Sequence, residues 1–264
     1  MFSRTLLMLT LLAKACVCAH SGEPGALEAP GVSFETKVFK DVPHWVVRVR
    51  LDEAPLRLHW KDEKGRPLNN FLCLRDWLGE QGKSLVFATN AGIYARDNTP
   101  LGLHVEEGVE MEPLNRKTGG GNFFLKPNGV FFVNPDGTGG VLETEEYAAK
   151  APSPRIAVQS GPLLLRDGAI HPRFIPDSDS LYARNGVGMR SEREAVFVLT
   201  RRAVNFNDFA LFFRDELGCR DALYLDGALS DMYAPALGSQ SPGFAYVGML
   251  AVAVPKAPAP AEAP

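Results

Sequence analysis

The chain has 264 residues, with 28 Lys and Arg against 31 Asp and Glu, and a formal charge of −3. That length suits one domain able to bury a large core. The mildly acidic balance excludes the basic footprint that nucleic acid requires, and it becomes −5 without residues 1–19, which hold Arg4 and Lys14 and no acid.

Arg4, an apolar run at residues 6–13 and the small residues Val17-Cys18-Ala19 form a secretory signal pattern with a cut before His20. Lipidation at Cys16 is the weaker alternative, because Ala13-Lys14-Ala15 makes a poor lipidation box. The apolar run is too short for a span, and no later segment approaches the roughly 20 apolar residues that one needs. The mature protein is therefore expected to be exported, periplasmic or secreted, with no membrane span. Cys16 and Cys18 leave with the leader, and Cys73 and Cys219 remain either as one disulfide or as two buried thiols. Residues 20–31 and the Pro/Ala-rich residues 255–264 lack apolar periodicity and are expected to be flexible, which leaves 32–254 as the folded domain.

Residues 45–51 alternate as a half-buried strand does, and Phe71, Leu72, Leu74 and Leu78 recur at helical spacing across 69–78. Residues 85–89 are a short apolar strand that ends at Asn90-Ala91-Gly92. The apolar stretches 123–125 and 130–133 flank Lys126-Pro127-Asn128-Gly129, which predicts a hairpin. A second hairpin is predicted where residues 162–165 run into Asp167-Gly168 and return through Ala169-Ile170-His171. Residues 195–200 read as a strand, 207–217 as a helix stopped by Gly218, and 222–225 as a buried strand that delivers Asp226-Gly227. Strands outnumber helices and hairpins replace regular βαβ units, so the expected class is α+β, with mixed or antiparallel sheets and a few flanking helices.

Nucleotide-loop, dinucleotide-binding and His-Glu-x-x-His motifs are absent, so no cofactor is expected, while an ion such as Ca²⁺ among the carboxylates stays open. Gly119-Gly120-Gly121-Asn122 reads either as a flexible turn or as a backbone cradle for an anion. Three polar clusters follow apolar strands: Asn90-Ala91-Gly92-Ile93-Tyr94, Gln159-Ser160-Gly161-Pro162, and Asp226-Gly227 with Ser230 and Asp231. A fourth, Arg184-Asn185-Gly186-Val187-Gly188, sets a cation before two glycines that permit close approach. Each has a plain structural reading as turn, buried amide or ion pair, and the combination points to a site.

These clusters, with Pro100-Leu101-Gly102-Leu103 and Gly121-Asn122-Phe123-Phe124, resemble the phosphodiester glycosidase family over residues 85–250. The resemblance implies hydrolysis of a sugar-1-phosphodiester to free sugar and phosphate monoester, on an α+β fold. The usual family ending looks like Asp-Gly-Gly-x-Ser-Ser/Thr, and here it reads Asp226-Gly227-Ala228-Leu229-Ser230-Asp231. Glycoside cleavage needs a carboxylate at an oxocarbenium-like centre, for which Asp226 is the first candidate. Phosphate is a good leaving group held best by a planar cation, for which Arg184 is the candidate. Asn90, Gln159, Ser160 and Ser230 would contact the sugar, and Gly92, Gly161 and Gly227 would keep backbone clear of it. Asp231, Glu106 and His171 are weaker candidates for a second acid or base, and His104, between Leu103 and Val105, reads as structural.

Two other classes fit the same polar rim: a non-catalytic cell-envelope carbohydrate-binding module, and a serine hydrolase built from Ser160, His171 and Asp226. The latter lacks the Gly-x-Ser-x-Gly elbow. Amino-terminal sequencing of exported protein is expected to begin near His20; a retained leader, or a lipid on Cys16, would overturn the export expectation.

Overall fold

The computed structural model describes residues 29–150, 152–226, 229–240 and 244–256. The expected leader, residues 20–28, residues 257–264 and Gly227 lie outside the described residues. The elements in chain order are β1 (Val32–Phe39), β2 (Val42–Arg50), β3 (Leu56–His59), α1 (Phe71–Glu80), β4 (Lys83–Asn90), β5 (His104–Glu106) and β6 (Val109–Glu112). There follow β7 (Gly129–Val133), β8 (Gly139–Glu143), α2 (Thr144–Lys150), β9 (Ile156–Ser160), β10 (Leu163–Arg166), β11 (Ala169–Ile170) and β12 (Asn185–Ser191). The chain ends with β13 (Glu194–Thr200), α3 (Phe206–Leu211), β14 (Asp221–Tyr224), β15 (Met232–Tyr233) and β16 (Met249–Pro255).

The strands form three antiparallel sheets, in the orders β1-β2-β13-β12-β14-β10-β11, β15-β4-β16-β3 and β6-β5-β9-β7-β8. Period-two alternation lets each sheet bury one face in a shared core and the other under a helix. On β13, Phe197 and Leu199 enter the shared core, while Val196 and Val198 pack beneath Phe209, Phe212 and Phe213 of α3 and its continuation. On the second sheet, Phe87 and Leu250 face inward, and Leu85 and Met249 meet Phe71, Leu74 and Leu78 of α1. On the third, Phe131 and Val158 face inward, and Val130 and Phe132 meet Tyr147 of α2. Phe197 touches a ring from each of the other two sheets, with centroids 5.2 Å from Phe87 and 5.9 Å from Phe131.

The helices start where local chemistry puts them. Asn70 accepts the Cys73 N–H at 2.9 Å and Asn205 the Asp208 N–H at 2.7 Å, so each supplies an acceptor for an amide that the first turn leaves unpaired. The helix expected over 207–217 begins on this cap and passes into a π-turn, Phe212–Glu216, before Gly218 ends it at φ 66°. The Asp167-Gly168 hairpin forms as expected, with φ 51° and 80° at its two turn residues.

The expected hairpin around Asn128 does not form. Asn122–Phe124 is a single 3₁₀ turn, and β7 pairs instead with β8 and β9. Asn128 is fully buried, its amide donating to Phe123 O at 2.8 Å and its carbonyl accepting from Thr144 Oγ1 at 2.9 Å, so it joins a loop to α2 instead of turning a hairpin. At the ends of the described fold Ala29 is buried, and β16 runs through Pro255 opposite Lys83. Cys73 is exposed and Cys219 buried, both as free thiols, and burial pushes the Cys219 thiol up to about 12. No helix among the described residues is long and apolar enough to cross a membrane.

The sequence predicts close approach of a ligand or of backbone at Gly186 and Gly188; in the structure both lie in β12 beneath phenylalanines, with Leu223 O also 3.0 Å from a Cβ at Gly186. A Cβ at Gly188 would stand 2.6 Å from the Phe213 ring and 2.8 Å from Cys219 Sγ, both buried. Gly188→Ala is therefore expected to cost about 1–3 kcal/mol through overpacking, read as a fall of about 2–4 °C in Tm per kcal/mol in a thermal melt.

Candidate functional site

One strand end from each sheet converges on a single polar cluster: Asn90 ends β4, Asn185 begins β12, and Ser160 ends β9. Asp226 arrives two residues after β14. Asn90 is wholly buried and uses its whole carboxamide. Its Oδ1 accepts from Asn185 Nδ2 at 3.0 Å and from the Asp231 N–H at 2.8 Å. Its Nδ2 donates to Leu229 O at 2.9 Å and to Asp226 Oδ2 in a short contact. That amide has two acceptor lone pairs and two donors, and all four are occupied. Asn185 Nδ2 also reaches Asn90 O at 2.7 Å and Thr89 Oγ1 at 3.0 Å, while its own Oδ1 is a buried acceptor without a partner among the described residues.

Asp226 is 5% exposed. Its charge raises the phenols of Tyr94, Tyr224 and Tyr246, in each case behind burial as the larger cause. Tyr94 gives its hydroxyl to Ala245 O at 3.0 Å, and Tyr246 gives its own to Asp231 Oδ2 at 3.1 Å. The Asp226 carboxylate is thus nearly buried between an amide and phenols. Such surroundings strengthen electrostatic interaction with any charge that develops there.

Arg184 lies one residue before Asn185, so its side chain leaves the opposite face of the strand start. Only 1% exposed, its guanidinium lies 3.6 Å above the Phe206 ring and donates to Val204 O at 2.8 Å and Ser180 O at 3.0 Å. It forms no ion pair with a carboxylate among the described residues, and burial lowers its pKa. The link to Asp226 runs through Tyr224, whose phenol engages both Arg184 and Ser230 and is pushed up to about 12, mainly by burial. Ser230 Oγ in turn accepts the Asn185 N–H at 3.0 Å.

The remaining expected residues divide sharply. Ser160 Oγ donates to Leu225 O at 3.0 Å, beside the Gly92 N–H, which donates to the same oxygen at 2.8 Å. Gln159 points to the other face of β9. There Oε1 accepts from Leu103 N at 3.0 Å and Asn115 N at 2.8 Å, and Nε2 donates to Asn115 O at 2.8 Å and Thr144 Oγ1 at 3.2 Å. The structure therefore brings Asn90, Ser160, Ser230 and Asp226 together, places Arg184 one side chain away, and turns Gln159 elsewhere. Nor do Gly92 and Gly161 clear space for a ligand. A Cβ at Gly92 would stand 2.8 Å from Val158 Cγ2, and one at Gly161 would stand 2.7 Å from Asn128 Cβ, so what they admit is protein.

Among the weaker acid/base candidates, Glu106 pairs with His104 at 2.7 Å, which is buried in β5. His171 stacks on Phe174 with centroids 4.6 Å apart and accepts the Arg173 N–H at 3.2 Å; it is not hydrogen-bonded to Ser160, so the serine-hydrolase arrangement is not assembled. Of these, Asp231 alone shares a hydrogen-bond partner with Asp226. Asn185 and the three tyrosines went unassigned in the sequence reading. Asn185 is signalled by its place beside Arg184, and Tyr94 and Tyr224 stand within the motifs around Asn90 and Asp226, whereas Tyr246 carries no local signal. Among the described residues no group of three or more His, Cys, Asp or Glu is placed to hold a metal ion.

A three-sheet α+β domain is a defined architecture, and solved structures share the fold. The catalytic domain of zebrafish N-acetylglucosamine-1-phosphodiester alpha-N-acetylglucosaminidase, auto-inhibited by its pro-peptide, matches with a TM-score of 0.55 at 17% identity, over 88% of this chain and 85% of that one. A Synechocystis protein matches at 0.53 and 13% identity, over 86% of this chain and 62% of its own. In sequence, the uncharacterized protein YigE of Escherichia coli K12 is 36% identical over 197 residues, 75% of this chain and 76% of its own length. The profile of the phosphodiester glycosidase family matches residues 83–253, and the chain belongs to that family of glycosidase-type hydrolases.

The saturated Gln159 amide makes a firm stability prediction. Gln159→Leu strands the buried Leu103 N–H and the part-buried Asn115 N–H and is expected to cost about 1–3 kcal/mol, measured by denaturant unfolding; unchanged stability would contradict the hydrogen-bond assignment.

Proposed function

We propose that this chain is an exported hydrolase that cleaves the bond between a sugar's anomeric carbon and phosphate in a sugar-1-phosphodiester. The observation that carries the reading is the Asn90–Asp226 contact: a nearly buried carboxylate held by an amide that is itself fixed on every side. Water supplies hydroxyl to the anomeric carbon, the C1–O bond breaks, the oxygen departs with the phosphate, and the water's second proton ends on the phosphate monoester. Asp226 stabilises or attacks the oxocarbenium-like centre, where a negative charge in dry surroundings counts most. Asn90 holds that carboxylate in one orientation and so limits reorganisation as charge develops.

The phosphate leaves without a strong acid, so the cation matters more than a proton donor. Arg184 has carbonyl partners and the Tyr224 phenol but no carboxylate among the described residues, and an anionic phosphate would supply the counter-charge. The half-buried Ser230 is the hydroxyl nearer to a sugar at Asp226, whereas the Ser160 hydroxyl is fully buried and donates to Leu225 O. What the zebrafish enzyme's name says of its substrate supports the phosphodiester class, while the identity of sugar and aglycone comes from assay.

The substitution that separates a catalytic Asp226 from a turn residue is Asp226→Asn, which keeps size and hydrogen bonding and removes the charge. Hydrolysis of a model sugar-1-phosphodiester is expected to fall by about 10³-fold or more with an unchanged thermal melt. Arg184→Lys keeps the charge but loses the planar fork, so KM should rise more than kcat falls. Wild-type turnover by Asp226→Asn removes this residue from the mechanism. No turnover by the natural chain across a panel of such diesters would favour the carbohydrate-binding module.

A further inference from the structure

At the opposite end of β4 from Asn90, a cavity of about 190 Å³ lies between β3, β4, α1 and β16. Lys83 and Asn90 bound that strand, and seven steps of extended chain put the two places about 23 Å apart. Leu78, Ala251 and Ala253 give the cavity an apolar lining, and Arg57, His59 and Lys83 are its ionisable groups. No carboxylate lines it. Arg57 pairs with Glu107 at 2.5 Å, whereas Lys83 enters no ion pair among the described residues. An adjoining cleft of about 550 Å³ shares Arg57, His59 and Lys83 and gives the cavity an open side, which continues past Trp77 and Lys61 and carries the carboxylates of Asp62, Glu63, Glu106 and Glu107.

Size and charge together define an occupant. An apolar cavity of about 150 Å³ accommodates a benzene ring, so this one has room for such a body beside its cationic groups. Lys83 without an ion pair among the described residues, Arg57 held by Glu107, and an imidazole around one space offer donors to a phosphate monoester, which brings negative charge and several acceptor oxygens. We propose that this cavity is a second binding site, distinct from the Asn90 cluster, that takes a small organic phosphate monoester with an apolar body. The site does not rest on the proposed reaction.

The state of His59 fits this. Burial, then the charge of Arg57, holds its imidazole neutral down to about 4, with Lys83 and His104 acting in the same direction and Glu107 opposing. The ring is thus available as a neutral donor or acceptor beside Lys83.

Titrating the full chain with phenyl phosphate, followed by amide NMR shifts, tests the assignment. Saturable shifts are expected at His59, Lys83 and Ala253. Benzyl alcohol, which has the body alone, and inorganic phosphate, which has the head alone, should each bind at least tenfold more weakly. Ala253→Phe fills the cavity and should abolish the shifts, and Lys83→Met, a half-buried strand-end position, should weaken binding at least fivefold; the latter carries the test if the former does not fold. Absence of shifts at these amides at about 10 mM ligand would overturn the proposal. So would shifts confined to the surroundings of Asp226, or unaltered binding by Lys83→Met.

Discussion

The carboxamide of Asn90 is the constraint on which both the fold and the site depend. Four bonds tie one side chain to Asn185 of the seven-stranded sheet, to Asp226, and to the backbone at Leu229 and Asp231. Buried amides are costly unless every donor and acceptor is matched, and here the matching partners come from segments up to 141 residues away in sequence. The same saturation makes the cluster specific: an alternative packing of the strand ends would leave at least one of these groups bare. Asp226 inherits its orientation from this arrangement.

That amide occupies its position because three sheets share one core. Phe197 meets Phe87 and Phe131 at the centre, and each sheet's outer face is closed by its own helix, so the strand ends have little freedom to shift relative to one another. Hydrophobic packing sets the frame at a scale of about 1.5–3 kcal/mol per buried large side chain, and the polar junction at its edge decides which frame. Gly92 and Gly161 belong to the same economy of space. Their missing Cβ atoms let Val158 and Asn128 close against the turns that present Asn90 and Ser160.

Electrostatically, the junction is asymmetric. Asp226 lies among phenols and amides on one side of β14, and Arg184 lies on an aromatic floor of Phe206 with Tyr224 between the two. His171, Phe174, Phe206 and the Arg184 guanidinium succeed one another as a stack, with spacings of 4.6, 4.9 and 3.6 Å. A planar guanidinium tolerates such burial because it is weakly hydrated and stacks well, which an ammonium does not. The sequence pairing of Arg184 and Asn185 thus serves two environments at once: alternate side chains at a strand start point to opposite faces, one amide inward to Asn90 and one cation toward Tyr224.

Much of this was determined locally by the sequence. The α+β class, the Asp167-Gly168 turn, both asparagine-adjacent helix starts and the strand leading to Asp226 follow from hydrophobic period and turn chemistry, which act within a few residues. The motif clusters also marked Asn90, Ser160, Arg184, Asp226 and Ser230 before any geometry was known. What the tertiary structure decided was direction. Gln159 and Ser160 are neighbours on one strand, yet the pleat sends one to a wholly internal network and the other to Leu225, and no local rule says which face is which. Asn128 looked like a hairpin turn because Asn-Gly tolerates positive φ, but burial against Phe123 and Thr144 outweighed that preference. Tyr94, Tyr224 and Tyr246 meet around Asp226 only because long-range strand pairing brings them there, and side chains gathered from so far apart leave no periodic trace along the chain.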